Sequence, residues 1–346
     1  MMDENKHSYA GDSMRRVEDE EMITGAGCYT DDLQFPEMTH LHFVRSPYPH
    51  AKIKKMDLSA AMESEGVLAI YTADDLIRDG VNPYPIPGPP GDFVTQEILD
   101  QGYRNGNGEP MDPPRWLALA KDEVRYVGQP VVAILAESAE NALTASELVE
   151  VDYEELASVG TIQDAEKESA PSIWKGAPGN LLIQMEHGDA AKTDKIFVEA
   201  DHVTDLDLSN SRLVGNAMEP RASVCRRDPE QDRLILHAGH QAPTGLQESL
   251  CKDIFGWSTH KLRIVFGHLG GGFGIRAETY PEEIVTVYAA HKQSRPVKWN
   301  GDRTQEFYGT VHGRDQLSTA SLACSKDGKI EALRTLTRSN LGAYAT

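Results

Sequence analysis

The chain has 346 residues, of which 40% are hydrophobic, and its formal net charge is −20 at pH 7. A chain of this length can form two or three domains, each with a proper apolar core. The acidic balance argues against a surface for nucleic acid or for anionic membranes, because both need clustered lysine and arginine.

The four cysteines lie far apart and none forms a C-x-x-C pair, so the spacings of zinc ribbons and iron–sulfur clusters are absent. Dispersed thiols are typical of a reducing compartment. The longest aliphatic run, VVAILA, is far too short to span a membrane. Arg15 and Arg16 are followed by VEDEE rather than by the apolar stretch of a Tat signal. The sequence therefore predicts a soluble, cytoplasmic protein.

The first predicted strand–helix–strand unit lies in the segment AKIKKMDLSAAMESEGVLAIYTADDL. Alternation through Ile53 and Met56 predicts a strand. Ser59 then opens a short helix, which is expected to end at Gly66 as its C-cap. The next strand is predicted at residues 67–72.

The second unit lies in QPVVAILAESAENALTASELVEVDYEEL. Val131–Ala136 has the composition of a buried strand, and Ser138 is a good N-cap for an amphipathic helix of about three turns. A strand resumes at Val151–Tyr153. Because a crossover of this kind normally joins parallel strands, both units predict parallel pairing.

Proline-rich stretches divide the chain. The insertion predicted at residues 78–114 contains eight of the nineteen prolines, which indicates a long loop. A second linker at residues 167–180, KESAPSIWKGAPGN, precedes longer strands and turns, so a domain boundary is expected near residue 165. The predicted organisation is a polar tail at 1–15, a first domain at 16–165 that carries the insertion, and a second domain at 166–346.

Residues 267–283 read GHLGGGFGIRAETYPEE, and four of the five positions from Gly270 to Gly274 are glycine. Such a run costs backbone entropy, so something is expected to approach the bare backbone closely. A strand, KLRIVFGH, precedes the run, and a helix, EEIVTVYAAHKQ, follows it. A glycine loop between a strand and a helix presents backbone N–H groups and the positive helix end to an anion.

The same loop contains a relaxed dinucleotide fingerprint, G-x-G-x-x-A, from Gly272 to Ala277, so a nicotinamide-binding unit is an alternative. The two preceding glycines are not needed by that fingerprint. Phe273 also puts a large ring where the backbone should approach a pyrophosphate, and only one crossover remains before the chain ends. A glycine-rich turn without any ligand is a third interpretation.

A wider resemblance decides between these interpretations. Eight segments across residues 16–346 resemble segments of the molybdenum-binding large subunit of the xanthine dehydrogenase/aldehyde oxidase family, the molybdenum hydroxylases. They occur in the same order as in that family. Any one segment alone is weak, whereas eight in sequence are highly specific. The segments are GAGCYTDDL, VRSPYPHAKIKKMDLSAA, VRYVGQPVVAILAESAENALTASELVEVDYEEL, NAMEPRASV, GHQAP, GGGFGIRAETYPEE, RPVKWNGDRTQEF and HGR.

The resemblance implies an α/β (α+β) fold with an N-terminal α/β hammerhead domain, followed by the first part of a molybdenum-cofactor-binding domain that is incomplete at its C-terminus. It also implies a molybdenum-pyranopterin cofactor, as molybdopterin or its cytosine dinucleotide, in which the pterin dithiolene rather than a protein side chain carries the metal. By this resemblance the loop lines the cofactor with backbone N–H groups, and Arg276 also binds it, where many relatives have lysine. The loop residues assigned in this way are Gly271, Gly272, Phe273 and Gly274.

Two residues outside the loop are assigned by the same resemblance. Gln241, in GHQAP, matches the glutamine whose amide lies beside the metal's oxo group, and it is the catalytic residue assigned here. Glu219, in MEPRA, matches a position that lines the approach to the site, so we expect a structural role first and a substrate-facing role second. Ala277 stands where purine-oxidising relatives carry a substrate-binding glutamate, and Glu278 could replace it only if the loop shifted register. This departure argues against xanthine as substrate.

The family reaction implied is hydroxylation of an aldehyde or N-heterocyclic carbon with an oxygen derived from water. Iron–sulfur clusters and FAD then receive the electrons. Since this chain lacks the cysteine sets that such clusters need, they are expected on an iron–sulfur small subunit and an FAD medium subunit.

Relatives continue for several hundred residues beyond RSNLGAYAT, and that part normally supplies the catalytic glutamate. The chain is therefore expected to be one half of a split large subunit or a truncated fragment, inactive without a chain that supplies the C-terminal half. Two alternatives remain. One is a non-catalytic assembly subunit of such a complex, and the less favoured one is an NAD(P)-binding dehydrogenase domain.

Overall fold

The computed structural model describes residues 11–85, 104–105 and 107–345. Residues 1–10 of the predicted tail lie outside the described residues, as do residues 86–103 and 106 of the predicted insertion. The α-helices in the described part of the chain are α1 Asp19–Thr24, α2 Ser59–Met62, α3 Ala73–Arg78, α4 Ala139–Ser146, α5 Ile162–Ala165, α6 Ala190–Glu199, α7 Pro243–Glu248, α8 Pro281–Gln293 and α9 Arg303–Gly309.

A seven-stranded mixed sheet forms the centre of the molecule. Its strands are β1 Thr39–Arg45, β3 Val67–Tyr71, β5 Pro130–Ala136, β9 Ala222–Asp228, β10 Arg233–Ala238, β11 Leu262–Val265 and β12 Val297–Asn300, in the spatial order β11-β10-β9-β12-β1-β5-β3. The parallel pairing of β1 with β12, in which Thr39 lies opposite Val297, joins the two halves of the sequence. The sheet therefore contains strands from both sides of residue 165, where the sequence predicts a domain boundary.

Smaller sheets flank this one within the described residues. The first has the order β4-β2-β6, with β2 Ala51–Asp57, β4 Glu123–Val124 and β6 Glu150–Glu155. The second has the order β15-β14-β7, with β7 His202–Asn210, β14 Gln316–Cys324 and β15 Ile330–Ser339. A short pair consists of β8 Leu213–Val214 and β13 His312–Gly313.

The predicted helix after Ser138 is confirmed, since its hydroxyl oxygen accepts the N–H group of Asn141 at 3.0 Å. The predicted parallel pairing is wrong in both units. β5 pairs antiparallel with β1 and β3, whereas β6 pairs antiparallel with β2 in the separate small sheet. The physical reason lies in burial: every residue of β5 is buried, while β6 is largely exposed, so the two strands suit different sheets.

Gly66 does not have the role that the sequence predicts. Helix α2 ends at Met62, and Gly66, with φ of 74°, lies in the turn directly before β3. A Cβ atom there would lie 1.9 Å from Nδ2 of Asn141, so the turn also lets α4 approach closely. This glycine therefore serves packing between elements rather than helix termination.

Helix α8 packs on the central sheet against β9 and β12 and anchors the core. Every residue from Pro281 to Ala290 is buried. Burying an Ile or Val side chain of this kind contributes about 1.5–3 kcal/mol, so the position of α8 on the sheet is strongly fixed. The segment between β11 and α8, which contains the glycine run, is thereby attached to rigid elements at both ends. None of the helices in the described ranges combines the length and apolar character needed to cross a bilayer.

Candidate cofactor-binding site

The glycine run forms an irregular loop between β11 and α8, and side chains from elsewhere hold its two ends. The N–H group of Gly270 donates to Oε2 of Glu219 at 2.8 Å, and that of Gly274 donates to Oε1 of Gln241 at 2.9 Å. Gln241 is itself fixed, because its backbone N–H group donates to the carbonyl of Arg276 at 2.7 Å. The structure thus brings the residues assigned from the sequence into one cluster.

Part of the need for glycine comes from the protein's own packing. A Cβ atom at Gly272 would lie 2.6 Å from Cδ of Gln241, so any larger residue would displace that amide. Gly274 has φ of 86°, a left-handed conformation that favours glycine, and no atom lies within 4 Å of the position its Cβ would take. The loop is therefore closely packed on one side and open on the other.

Three successive backbone N–H groups, those of Gly271, Gly272 and Phe273, donate no hydrogen bond to any of the residues described. Phe273 has φ of 51°, a conformation that is strained for a residue with a side chain. Adjacent N–H groups on a fixed backbone can bind the acceptor atoms of a polar ligand. The loop therefore offers a row of donors ready for such a group.

Arg276 supports the loop from the protein interior, with a side chain only 1% exposed. Its Nη1 lies 2.9 Å from Oε2 of Glu219, and its Nη2 donates to the carbonyls of Glu219 at 2.5 Å and Pro220 at 3.3 Å. The second carboxylate oxygen of Glu219, Oε1, is buried and has no hydrogen-bond partner in the described part of the chain. Glu219 thus orders the loop with one oxygen and keeps the other free.

Arg303, at the start of α9, was missed by the sequence analysis. Its Nη1 donates to Oδ1 of Asn216 and, at 2.6 Å, to the carbonyl of Ala217, while its Nη2 donates to the carbonyl of Met218 at 2.7 Å. These acceptors are mainly backbone carbonyls 85 and 86 residues earlier in the chain. Because carbonyls occur at every residue, no sequence signal marks such a contact.

A buried charge network lies behind the loop and connects distant parts of the chain. Arg221 is 5% exposed; its Nη1 donates to Oε2 of Glu282 at 3.0 Å, and its Nε donates to Oε1 of Glu306 at 3.1 Å. Arg45 of β1 donates to the other oxygen of Glu282 at 2.7 Å. Buried carboxylates need such partners, since an uncompensated buried charge is strongly destabilising.

Tyr280 links this network to the loop. The guanidinium of Arg221 lies 3.8 Å from the centre of the Tyr280 ring, a cation–π contact. The Tyr280 hydroxyl donates to the carbonyl of Ile275 at 2.5 Å and accepts the N–H group of Val311 at 3.3 Å. The far side of the loop is therefore fixed to the same buried cluster.

The two acids at the start of α8 have opposite pKa shifts. Burial raises the pKa of Glu283 to about 7. Burial also acts to raise the pKa of Glu282, but Arg221 and Arg45 together bring it below its ordinary value. Both acids lie in the first turn of α8, where they interact with the positive helix end. The chain's own acidic side chains thus occupy the start of the helix. This corrects the expectation that the helix start would face the anionic group of a ligand.

Ala277 is exposed, and burial raises the pKa of the neighbouring Glu278. The backbone carbonyl of Glu278 lies 3.1 Å from Nε2 of His240, whose Nδ1 accepts the N–H group of Ala242 at 3.0 Å. Nε2 therefore carries the proton and donates to the carbonyl. This contact fixes the loop after Ala277, as Gln241 fixes it before.

The sheet topology does not form a dinucleotide-binding unit. Such a unit needs the strand before the glycine loop and the strand after the helix to lie together in a parallel sheet. Here β11 pairs with β10, whereas β12 lies between β9 and β1. Two strands therefore separate β11 from β12, and the fingerprint from Gly272 to Ala277 lacks its structural context.

The cluster offers hydrogen-bonding groups of the kind that a polar cofactor such as a pyranopterin needs. The unpaired N–H groups of Gly271, Gly272 and Phe273 supply three hydrogen-bond donors. Because Oε1 of Gln241 already accepts the Gly274 N–H group, its Nε2 remains as a further donor. Oε1 of Glu219 is buried and has no hydrogen-bond partner among the described residues.

Comparison with known proteins places this site in a family. A family model described as the molybdopterin cofactor-binding domain matches residues 173–346. A second, described as the aldehyde oxidase and xanthine dehydrogenase a/b hammerhead domain, matches residues 24–102 and 90–157. The two models together cover most of the chain, and the glycine loop lies in the first of them.

Individual relatives agree with these matches. The 6-hydroxypseudooxynicotine dehydrogenase complex subunit gamma of Paenarthrobacter nicotinovorans is 30% identical over 98% of this chain and 40% of its own length. The reconstituted CO dehydrogenase from Oligotropha carboxidovorans has a similar structure, with a TM-score of 0.80 and 29% identity over 95% of this chain and 39% of the other. The nicotinate dehydrogenase large molybdopterin subunit of Eubacterium barkeri is 26% identical over 97% of this chain and 71% of its own length.

The chain spans about two fifths of the length of the first two of these proteins and a larger share of the third. Its two matching regions follow each other in the order hammerhead, then cofactor-binding domain. On these grounds the chain belongs to the aldehyde oxidase and xanthine dehydrogenase family of molybdopterin-binding proteins.

Proposed function

We propose that this chain provides the hammerhead domain and the first part of the cofactor-binding domain of a molybdenum hydroxylase, within the approximate bounds 16–165 and 166–346. The reaction is hydroxylation of an aldehyde or an N-heterocyclic carbon, with oxygen derived from water. The row of unpaired N–H groups at Gly271, Gly272 and Phe273 carries this proposal. Its ends are fixed by Glu219 and Gln241, so the donors stay in place without a ligand to order them.

The chemistry that a molybdenum-pyranopterin supplies when bound is a two-electron oxidation, which amino-acid side chains do not carry out. This chain's part is to bind and orient. The loop N–H groups would hold the pterin through its acceptor atoms, and Nε2 of Gln241 would donate beside the metal centre, where an uncharged donor would stabilise developing negative charge. Arg276 contributes through Glu219, because its own guanidinium is buried.

The complete site needs further polypeptide, since the matched relatives are longer. We place the catalytic glutamate and the remaining pterin contacts there. The Eubacterium barkeri relative, of which this chain covers 71%, supports the existence of shorter molybdopterin subunits in the family. Iron–sulfur clusters and FAD are assigned to partner subunits, because the four cysteines of this chain do not have the spacing of a cluster site. We place the complex in the cytoplasm.

We infer that the substrate is an aldehyde or an N-heterocycle other than xanthine, because Ala277 matches the position at which purine-oxidising relatives carry a substrate-binding glutamate. The names of two relatives, a 6-hydroxypseudooxynicotine dehydrogenase and a nicotinate dehydrogenase, support nitrogen heterocycles or related compounds. The pterin is molybdopterin or its cytosine dinucleotide.

The proposal is tested on the complex purified from its native cell, assayed in H₂¹⁸O with aldehydes and N-heterocycles. We expect ¹⁸O in the hydroxylated product. Gln241→Ala should lower kcat/KM about 100-fold, the effect of removing one such donor, whereas Gln231→Ala, in an exposed turn, should leave it unchanged. A product without ¹⁸O would exclude this reaction. A native complex without molybdenum would instead favour an assembly subunit.

A further inference from the structure

Two large apolar side chains lie exposed beside the loop. Met218 is 87% exposed and Phe273 is 72% exposed. The stretches that carry them are in contact: a Cβ atom at Gly271 would lie 3.1 Å from Cβ of Ala217, and one at Gly215 would lie 3.1 Å from Cβ of Phe273. The stretch that carries Met218 therefore lies against the stretch that carries Phe273.

The backbone under Met218 is held unusually firmly for an exposed residue. Arg303 donates to the carbonyls of Ala217 and Met218, and Arg276 donates to the carbonyls of Glu219 and Pro220. Four successive carbonyl groups thus accept hydrogen bonds from two guanidinium groups. A loop that merely exposed a methionine by chance would not need this support.

The charged groups nearest to Met218 are paired within the protein. The next residue, Glu219, has a side chain only 12% exposed, directed to Arg276 and to the N–H group of Gly270. Arg303 is engaged with the carbonyls before Glu219. What this side of the loop presents to a ligand is therefore a methionine, an aromatic ring and the uncharged amide of Gln241.

We propose that Met218, with Phe273, forms the apolar wall against which the carbon skeleton of the substrate packs, and that Met218 sets a preference for a neutral planar ring. This rests on the proposed function. The cofactor needs hydrogen-bond donors, and the loop N–H groups and Gln241 supply them. The Met218 side chain has no such donor, so it is free to contact the substrate instead. A polarisable thioether packs well on an aromatic ring. A substrate carboxylate would meet no unpaired cation among the described residues of this cluster.

The test uses the complete complex purified from its native cell, with Met218→Ala, Met218→Leu and, as a matched control, Met62→Ala on α2, which is 51% exposed. The measured quantity is the ratio of kcat/KM for quinoline or benzaldehyde to kcat/KM for acetaldehyde, together with molybdenum per chain. Met218→Ala is expected to lower this ratio at least about tenfold, since a single methylene in an apolar pocket already has an effect of this size. Met218→Leu should restore most of it, and Met62→Ala should not change it. Molybdenum content should stay equal in all four proteins.

A molybdenum-loaded complex in which Met218→Ala leaves the ratio unchanged would overturn this inference while leaving the proposed function intact. The same holds if the wild-type complex prefers acetaldehyde to both rings. Loss of molybdenum or of assembly in Met218→Ala would assign the side chain to the cofactor or to a subunit contact, which also overturns it. A wild-type complex without molybdenum would overturn the proposed function itself.

Discussion

At the residue scale, the glycine loop is shaped by side chains that the sequence alone does not single out. Gln241 and Glu219 could be assigned only through the family resemblance, because an isolated glutamine or glutamate carries no pattern. The structure adds the reason for their positions, since each accepts an N–H group from one end of the loop. The contacts of Arg303 cannot be predicted from the sequence, because its partners are mainly backbone carbonyls.

Replacing Gly272 by alanine is expected to weaken cofactor retention, because the new Cβ atom would lie 2.6 Å from Cδ of Gln241 and displace the amide. Overpacking of this kind costs about 1–3 kcal/mol. The measurement is molybdenum per chain in the purified complex after extended dialysis. Gly160→Ala is the matched control, because no atom lies within 4 Å of its Cβ position. Equal molybdenum retention in both variants would show that the contact between Gly272 and Gln241 is unimportant.

The buried Glu283 should make stability depend on pH. Burial raises its pKa from an ordinary 4.5 to about 7 in the folded state. The folded protein therefore favours the protonated form, and the stabilisation is fully present below pH 4.5 and lost as the pH rises through about 7. This loss is of the order of 3 kcal/mol.

Glu283→Gln cannot titrate, so its free energy of unfolding should fall less between pH 5 and pH 8 than that of the wild type. Urea unfolding at the two pH values measures the difference. The exposed Glu331→Gln should behave like the wild type. An identical pH dependence in all three proteins would mean that Glu283 is ionised in the folded state.

At the element scale, local sequence patterns predict individual strands and helices but not which strands pair with each other. The strand at Val131–Ala136 and the helix capped by Ser138 follow from composition and capping, and the structure has both. The pairing of β5 with β1 and β3, and of β6 with β2, depends on tertiary burial. A crossover between two sheets shows the same local sequence pattern as a crossover within one sheet. The prediction of parallel pairing between the strands of each unit is therefore wrong.

The ion pair between β1 and α8 should contribute strongly to stability. Arg45→Ala leaves Glu282 with Arg221 as its remaining cationic partner in a buried site. The expected loss in the free energy of unfolding is about 3 kcal/mol. Arg78→Ala removes an exposed, solvent-screened pair with Asp75 and should therefore cost much less than Arg45→Ala. Urea unfolding measures the loss in the free energy of unfolding for each variant. Equal losses in the two variants would contradict a structural role for the buried pair.

At the scale of the whole molecule, the two matched family regions share one sheet. The pairing of β1 with β12 brings Thr39 opposite Val297, a contact that no local pattern predicts. The sequence changes near residue 165, where a linker is followed by longer strands and turns, but this change does not coincide with any division of the central sheet. Aromatic contacts add a second link, since Tyr344 packs on Trp116 and Trp174.

Because of this shared sheet, the two halves should unfold together. Far-ultraviolet circular dichroism and tryptophan fluorescence are expected to give coincident urea transitions with one midpoint. The tryptophans report on both halves, since Trp116 lies before residue 165 and Trp299 lies in β12. Two separated transitions would show that the halves are independent and that the β1–β12 pairing contributes little.

The most direct test of cofactor binding is the molybdenum content, per copy of this chain, of the complex purified from its native cell. The unpaired N–H groups of the loop and the fixed Gln241 amide lead us to expect a ratio near one. A ratio near zero, with the partner subunits present, would contradict cofactor binding and leave the glycine loop as a purely structural feature.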